Sequence, residues 1–489
     1  MNRRISVVGR PRLPLGSVAR NLAIVGGATA LGQGAVVLAA PVLARLYDPQ
    51  SFGLLSVYAA LLSVLVAVSS LRFDFAVPIA TDAVEAVHLL ALSVVLALAS
   101  SVVVGLVVLA WGAQLSAALG AAQLTPFLWL LPIALFAASV AQALSAWAVY
   151  HRSFPALARM RAMQGVAQAA CQTVLGFLHA GSLGLIVGDV AGRAFGTEQL
   201  LRSLFGTLRS TAVSKRTMAR YARERWGFAR VMTAASLLSA LSLQVPFLLI
   251  PVLFDLESSG QYFLAYRVLV LPASLVAAAV SQVFFGEASY RRGDQQRLHD
   301  LARNVTVALL AFSIPTYAVV AVSGQALITT VFGHQWELAG LCAQIMAPWL
   351  MLWSVASPIS TLLLVGRRER ESLAFTVAEL GLKAGSLAIG AALHSLIVGI
   401  VVLSAVGVLL EVGSLWRFLR VASVSLRELV RPAGRIIALT TPILALVVLV
   451  SLVAPERQAL ASAVGWAIAF GLAARYSPEA RALLSGSHD

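Results

Sequence analysis

At 489 residues, with 59% hydrophobic and only 12% charged residues and a mean hydropathy of +0.87, the chain falls outside the range of soluble globular domains and reads as a bilayer protein. A formal charge of +15 could point to nucleic acid, but no aromatic-rich basic module accompanies the arginines, so no nucleic-acid partner is expected. Cys171 and Cys342, the only cysteines, lie in apolar runs without a partner at metal-ligand spacing, so neither a disulfide framework nor a metal site is expected.

The basic opening MNRRISVVGRPRLPLGSVAR precedes an apolar run too long for a signal-peptide core, so the first segment reads as an uncleaved helix. Apolar segments follow near 21–44, 52–71, 86–112, 126–150, 162–179, 182–205, 227–250, 260–284, 304–323, 341–365, 373–392, 395–416, 435–454 and 459–474. Each approaches the roughly 20 residues that cross a bilayer, which makes about fourteen helices. The runs are continuously apolar, whereas barrel strands alternate. The fold class is therefore all-α polytopic membrane protein.

Orientation follows from the cations, because cytoplasmic loops collect them. With the N-terminus inside, all but five of the 36 Lys and Arg fall in inside segments. Arg45 and Arg457 lie outside, and Arg193, Arg267 and Lys383 lie within helices. Both termini are thereby expected in the cytoplasm.

The turn LYDPQSFG (46–53) after the first helix has a twin, LFDLESSG (253–260), after the seventh. The fourth and tenth helices both open on proline-containing apolar runs, and LHAGSLGLIVG (178–188) after the fifth is echoed by LHSLIVG (393–399) after the eleventh. A six-helix unit is repeated. Six is even, so the two bundles are expected to be related by a pseudo-two-fold axis along the membrane normal, facing each other across a central cavity. The expected division is a first bundle over 1–208, a basic cytoplasmic linker over 209–226, a second bundle over 227–420, and two further helices with a tail over 421–489. The linker region carries Arg209, Lys215, Arg216, Arg220, Arg223, Arg225 and Arg230 against Glu224. It reads either as a helix lying on anionic phospholipids or as a plain positive-inside tether.

Several phrases resemble the oligosaccharide flippase (polysaccharide transporter) branch of the multidrug/oligosaccharidyl-lipid/polysaccharide exporter superfamily. They are PVLARLYDPQSFG, LRFDFAVPIA (71–80), WAVYHRSFPALARMRAMQGVAQA (147–169), GLIVGDVAG (184–192) and VFGHQWELAG (331–340). The resemblance implies two six-helix bundles in a V, often with two additional helices, that move polyprenyl-pyrophosphate-linked oligosaccharides from the inner to the outer leaflet by alternating access. It further implies O-antigen, capsule or exopolysaccharide assembly in a bacterial inner membrane, with a polysaccharide polymerase and chain-length machinery as partners. No catalytic residue and no cofactor beyond a proton or sodium gradient are expected.

Such a substrate carries pyrophosphate and hydroxyls through hydrocarbon, so an internal cavity with cations and amides is required. The candidate cations are Arg45, Arg72, Arg193, Arg267 and Lys383, the last being one of only two lysines in the chain. The candidate amides are Gln33, Gln142, Gln164, Gln168 and Gln172; the last three form an i, i+4, i+8 ladder suited equally to helix-to-helix bonding and to sugar hydroxyls. Asp189 with Arg193 and Glu379 with Lys383 are spaced four apart, as self-neutralised structural pairs or as ion-coupling carboxylates that release their cation to substrate phosphate. Glu411 is a third ion-coupling candidate, without a local partner. Two other functions stand as alternatives: ion-coupled multidrug export on the same scaffold, which would favour carboxylates, and a membrane glycosyltransferase or polymerase, which would need acidic residues in a sizeable outer loop.

Overall fold

The apolar segments are helical in the computed structural model, which describes residues 15–210, 213–290, 295–360, 362, 369–453 and 458–476. The basic segment before Leu15, the loop bearing Arg367 and Arg368, Arg457 and the tail after Tyr476 lie outside the described residues. In chain order the helices are α1 (Leu15–Leu46), α2 (Pro49–Ser69), α3 (Ala83–Ala118), α4 (Leu130–Tyr150), α5 (Phe154–Phe177), α6 (Ser182–Ala194) and α7 (Glu198–Ser210). Then come α8 (Lys215–Leu253), α9 (Leu256–Tyr290), α10 (Gln295–Phe332), α11 (Glu337–Ile359), α12 (Glu369–Ala392), α13 (Leu396–Val421), α14 (Leu426–Val453) and α15 (Gln458–Tyr476). Short 3₁₀ turns over Phe73–Ile79, Ala122–Phe127 and His334–Trp336 join them. Ten of these helices are long and apolar enough to cross a bilayer among the described residues. Neither α5 nor α6 is in that set, because α5 carries two arginines and three glutamines and α6 is short. The chain is a multi-pass all-α membrane protein.

Two segments differ from expectation. The run 182–205 is not one helix: α6 stops at Phe195, and Gly196 takes a φ of 77°, a left-handed conformation that cannot continue a helix, before α7 begins. The basic segment likewise has no helix of its own, because α8 runs without a break from Lys215 through Leu253 into the seventh span. Its cationic start docks on the first half, where Arg225 meets the buried carboxylate of Glu85 at 2.6 Å and Ser214 donates its amide to His88 at 3.3 Å. Nothing in the helix marks a boundary between tether and span.

The packing repeats at the six-helix offset. In the first half α1 packs on α5, α2 and α3 on α4, and α6 on both α4 and α5. In the second half α8 packs on α12, α9 and α10 on α11, and α13 on both α11 and α12. Outside the repeat, α14 and α15 lie against α10, where the Trp466 Nε1–H donates to Thr316 Oγ1 at 3.0 Å. Large apolar side chains on α3, such as Leu106 and Leu109, face outward, as a lipid-facing helix requires.

The twin turns explain how the halves meet. Asp48 caps α2 by accepting the Ser51 amide at 2.7 Å, and Asp255 accepts the Ser258 amide at 2.7 Å where α9 begins. The two capped ends then cross. A methyl group at Gly53 would strike the Leu256 carbonyl, and one at Gly260 would strike the Pro49 carbonyl, so each half presses a bare backbone against the other's first turn. Ser56 and Ser259 share a hydrogen bond of 2.8 Å across the same crossing. The 331–340 segment seals the edge: the Trp336 Nε1–H donates to the Ala44 carbonyl at 2.8 Å, and Phe52 meets the Trp336 ring edge-on at 4.9 Å. One apolar core, including Leu43, Phe52, Tyr262 and Trp336, runs across both halves at this end.

Candidate functional site

Away from that junction the first half opens into a cavity of about 760 Å³ lined from α1, α2, the Phe73–Ile79 turn, α4, α5 and α6. Its polar lining comprises Thr29, Gln33, Asp74, Gln142, Ser145, Arg161, Gln164, Gln168, Asp189 and Arg193. These side chains occupy the part of each helix remote from the Asp48 and Asp255 turns.

The wall between α5 and α6 is built from two complementary stripes. Gly184, Gly188 and Gly192 recur every fourth residue on α6, and added Cβ atoms at Gly188 and Gly192 would strike Gln172 and Gln168. With the backbones this close, the amide ladder reaches across. Gln164 Nε2 donates to the Arg193 carbonyl at 3.3 Å, Gln168 Nε2 approaches Asp189 Oδ1 at 3.5 Å, and Gln172 Nε2 donates to the Leu185 carbonyl at 2.9 Å. All three amides thus join helix to helix. Gln164 and Gln168 also border the cavity, whereas Gln172 is fully buried behind it.

Asp189 is the electrostatic centre of this wall. The Arg193 guanidinium grips it with Nε at 2.8 Å from Oδ2 and a second nitrogen at 3.2 Å from Oδ1, a bidentate fork along one helical turn. Arg267 on α9 lies within electrostatic range of the same carboxylate, with its guanidinium 5.9 Å from the Phe263 ring centre. One aspartate of the first half thus senses an arginine from each half.

Asp74 is the second carboxylate. It is buried, accepts from the Ser70 hydroxyl at 2.5 Å and from Gln142 Nε2 at 2.7 Å, and has Arg72 as its charged neighbour. Arg72 holds a left-handed φ of 58° at the start of the 3₁₀ turn, with its guanidinium 4.8 Å from the Phe75 ring centre. Its buried Nε finds no hydrogen-bond partner among the described residues, and burial lowers the affinity of the guanidinium for its proton while Asp74 opposes that shift. Arg161 has a single tether, a 3.3 Å hydrogen bond to Ser145 Oγ, and no carboxylate partner among the described residues.

The remaining candidates lie elsewhere. Arg45 sits at the junction, exposed, donating to the Val331 carbonyl at 3.3 Å. Lys383 is buried in the second half, 2.6 Å from Glu379, 3.4 Å from the Ser242 carbonyl and 5.5 Å from the Trp349 ring centre. Glu411 on α13 accepts no hydrogen bond among the described residues but lies within electrostatic range of both Glu379 and Lys383. Arg45 apart, the candidates gather in two places, at or beside a cavity around Asp189 and in a compact cluster around Lys383.

A family profile described as "Polysaccharide biosynthesis protein" matches residues 42–339, more than half of the chain. The chain belongs to the polysaccharide biosynthesis protein family. No curated protein sequence matches it. Among solved structures, the lipid II flippase MurJ in an inward closed conformation is similar with a TM-score of 0.64 and 13% identity, covering 92% of this chain and 98% of that one. An inward-facing multidrug resistance MATE family transporter of the MOP superfamily aligns with a TM-score of 0.60 and 13% identity, over 80% and 95% of the two chains. A MOP superfamily transporter from Pyrococcus furiosus, described as having a binding pocket of reverse polarity, aligns with a TM-score of 0.55 and 14% identity, over 83% and 96%. The fold is the one these transporters share.

The family match spans the junction, the cavity lining from Asp74 through Arg161 to Arg193, and Arg267. Two cavity residues stand outside the candidates that sequence reasoning selects. Arg161 reads in the sequence as one more cation of a basic loop. The signal that could have raised it is its place one helical turn before Gln164 and two before Gln168, on the face that carries the amide ladder. Asp74 reads as a boundary residue, and the signal that could have raised it is its place in the phrase LRFDFAVPIA.

Proposed function

We propose that the protein moves a polyprenyl-pyrophosphate-linked oligosaccharide between the leaflets of a bacterial inner membrane by alternating access, as a transporter rather than an enzyme. The observation that carries this reading is the charge of the cavity. Arg72, Arg161, Arg193 and Arg267 gather on or beside a space bounded by two carboxylates, Asp74 and Asp189, with glutamine amides between them. A surplus of arginine suits a phosphoryl headgroup, and amides suit hydroxyls. With the Asp48 and Asp255 turns outside, as the arginine distribution requires, the sealed junction is the outer gate and the cavity faces the cytoplasm, where the substrate is made.

Each cycle must then part the α2–α9 crossing while the opposite end closes. The Glu379, Lys383 and Glu411 cluster is where a proton or sodium gradient would act, because a carboxylate beside a shared cation changes its charge at small cost when that cation moves. Both termini are cytoplasmic in this reading. O-antigen, capsule or exopolysaccharide assembly supplies the substrate, the polymerase and chain-length machinery receive it, and anionic phospholipids meet the basic start of α8.

Multidrug export is the second reading, favoured by Asp74 and Asp189 in the cavity wall, since carboxylates hold cationic drugs. The deciding experiment deletes the gene in its host and measures lipid-linked oligosaccharide in each leaflet, with wild type and Arg267→Ala as complements. Accumulation on the cytoplasmic face, relieved by wild type and not by Arg267→Ala, is expected. A normal leaflet distribution with altered drug sensitivity would replace the flippase reading with drug export.

A further inference from the structure

Four arginines among the described residues stand on or near the cavity, and three of them have a charged partner. Arg193 is held bidentately by Asp189, Arg267 lies in the field of the same carboxylate, and Arg72 neighbours Asp74. Arg161 differs. It is exposed to the cavity, it faces no carboxylate among the described residues, and its only hydrogen bond among them is the 3.3 Å contact with Ser145 Oγ. Both cavity carboxylates are meanwhile occupied: Asp189 by Arg193, and Asp74 by Ser70 and Gln142. A guanidinium held this loosely keeps most of its five donors available, and nothing in the described wall cancels its charge.

We infer that Arg161 is the phosphoryl-binding side chain of the cavity, with Ser145 positioning it, while Arg193 holds the wall together. The inference rests on the flippase reading for the identity of the ligand, a polyprenyl pyrophosphate, and adds the residue that grips it. Two pyrophosphate oxygens take the free fork of the guanidinium in a charge-assisted bidentate contact while Ser145 keeps its own, so binding breaks no buried ion pair. Seizing Arg193 instead would strip Asp189 of both its hydrogen bonds from the guanidinium and leave a buried carboxylate with only the field of Arg267. The amides of Gln142 and Gln164 border the same space.

The test uses the full-length protein in detergent and measures binding of farnesyl pyrophosphate, farnesyl monophosphate and farnesol by intrinsic tryptophan fluorescence. Wild type is expected to prefer the pyrophosphate. Arg161→Ala should weaken that binding by about tenfold or more, the loss of one charge-assisted bidentate contact, and should leave farnesol binding unchanged. Arg161→Lys should fall between the two, because an ammonium keeps the charge without the fork. Unchanged melting of Arg161→Ala separates this effect from misfolding.

Equal pyrophosphate affinity in wild type and Arg161→Ala would overturn the inference, as would a wild type that binds pyrophosphate no better than farnesol. The leaflet assay is read separately. Flipping by wild type with Arg161-independent binding sinks this inference alone, and Arg161-dependent binding without flipping sinks the flippase reading alone.

Discussion

The two halves of the molecule share their turns and differ in their middles. Asp48 and Asp255 cap equivalent helices with the same 2.7 Å bond, and His179 and His394 close α5 and α12 in the same left-handed conformation, with φ of 55° and 49°. Counted back from those histidines, Gln164, Gln168 and Gln172 occupy the positions of Glu379, Lys383 and Leu387. The first half fills them with amides that bond to α6; the second fills them with an ion pair that reaches the Ser242 carbonyl on α8. Helix caps answer to backbone geometry, which the repeat preserves. Mid-helix side chains answer only to what the cavity must hold, so the halves can hold different chemistry on one frame.

The largest expected effect lies where the halves are alike. Gly53→Val or Gly260→Val places a branched side chain against a backbone carbonyl of the other half, and should cost about 3 kcal/mol in reversible unfolding in micelles. Leaflet transport should be lost with it. A variant that keeps full stability would mean that the α2–α9 crossing is looser than its geometry requires.

Next come the two ion pairs, where the burial of the charge left behind decides the order. Arg193→Met abandons Asp189, whose side chain is 9% exposed, and should cost about 3 kcal/mol. Lys383→Met abandons Glu379 at 23% exposed, which can still reach water, and should cost about 1–2 kcal/mol by the same measurement. The reverse order would show that the second-half cluster, rather than Asp189, is the electrostatic centre.

A smaller change sharpens the comparison of middles. Gln172→Leu gives the first half the residue type found at Leu387 and removes one buried hydrogen bond to the Leu185 carbonyl. It should cost about 1 kcal/mol and leave transport intact, because Gln172 does not border the cavity. Smallest of all is Arg220→Ala on α8, whose pair with Glu224 is more than half exposed and 3.7 Å long; its unfolding free energy should stay within about 0.5 kcal/mol of wild type.

Much of the fold was legible because a bilayer imposes a simple code. Apolar runs of the right length became helices, and the twin turns announced the repeat that the packing follows. The break at Gly196 was not legible, because one glycine in an apolar run is as common inside a span as at its end. Nor was the extent of α8, since its basic start and apolar continuation are both good helix formers. In the site, the fourfold spacing placed Asp189 beside Arg193 on one face, but the rank of the arginines was hidden. Spacing within a helix says nothing of which guanidinium a carboxylate on another element leaves free.

By itself the sequence determined the solvent, the helices, the six-helix period and the self-pairing of Asp189 with Arg193 and of Glu379 with Lys383, because hydropathy, caps and i, i+4 contacts are local. Only the tertiary structure decided that Gly53 and Gly260 bring two capped ends into backbone contact, that Arg45 belongs to the junction, and that Arg161 stands in the cavity with no carboxylate partner among the described residues. Those facts depend on distances between residues far apart in the chain, which packing sets and no local pattern records.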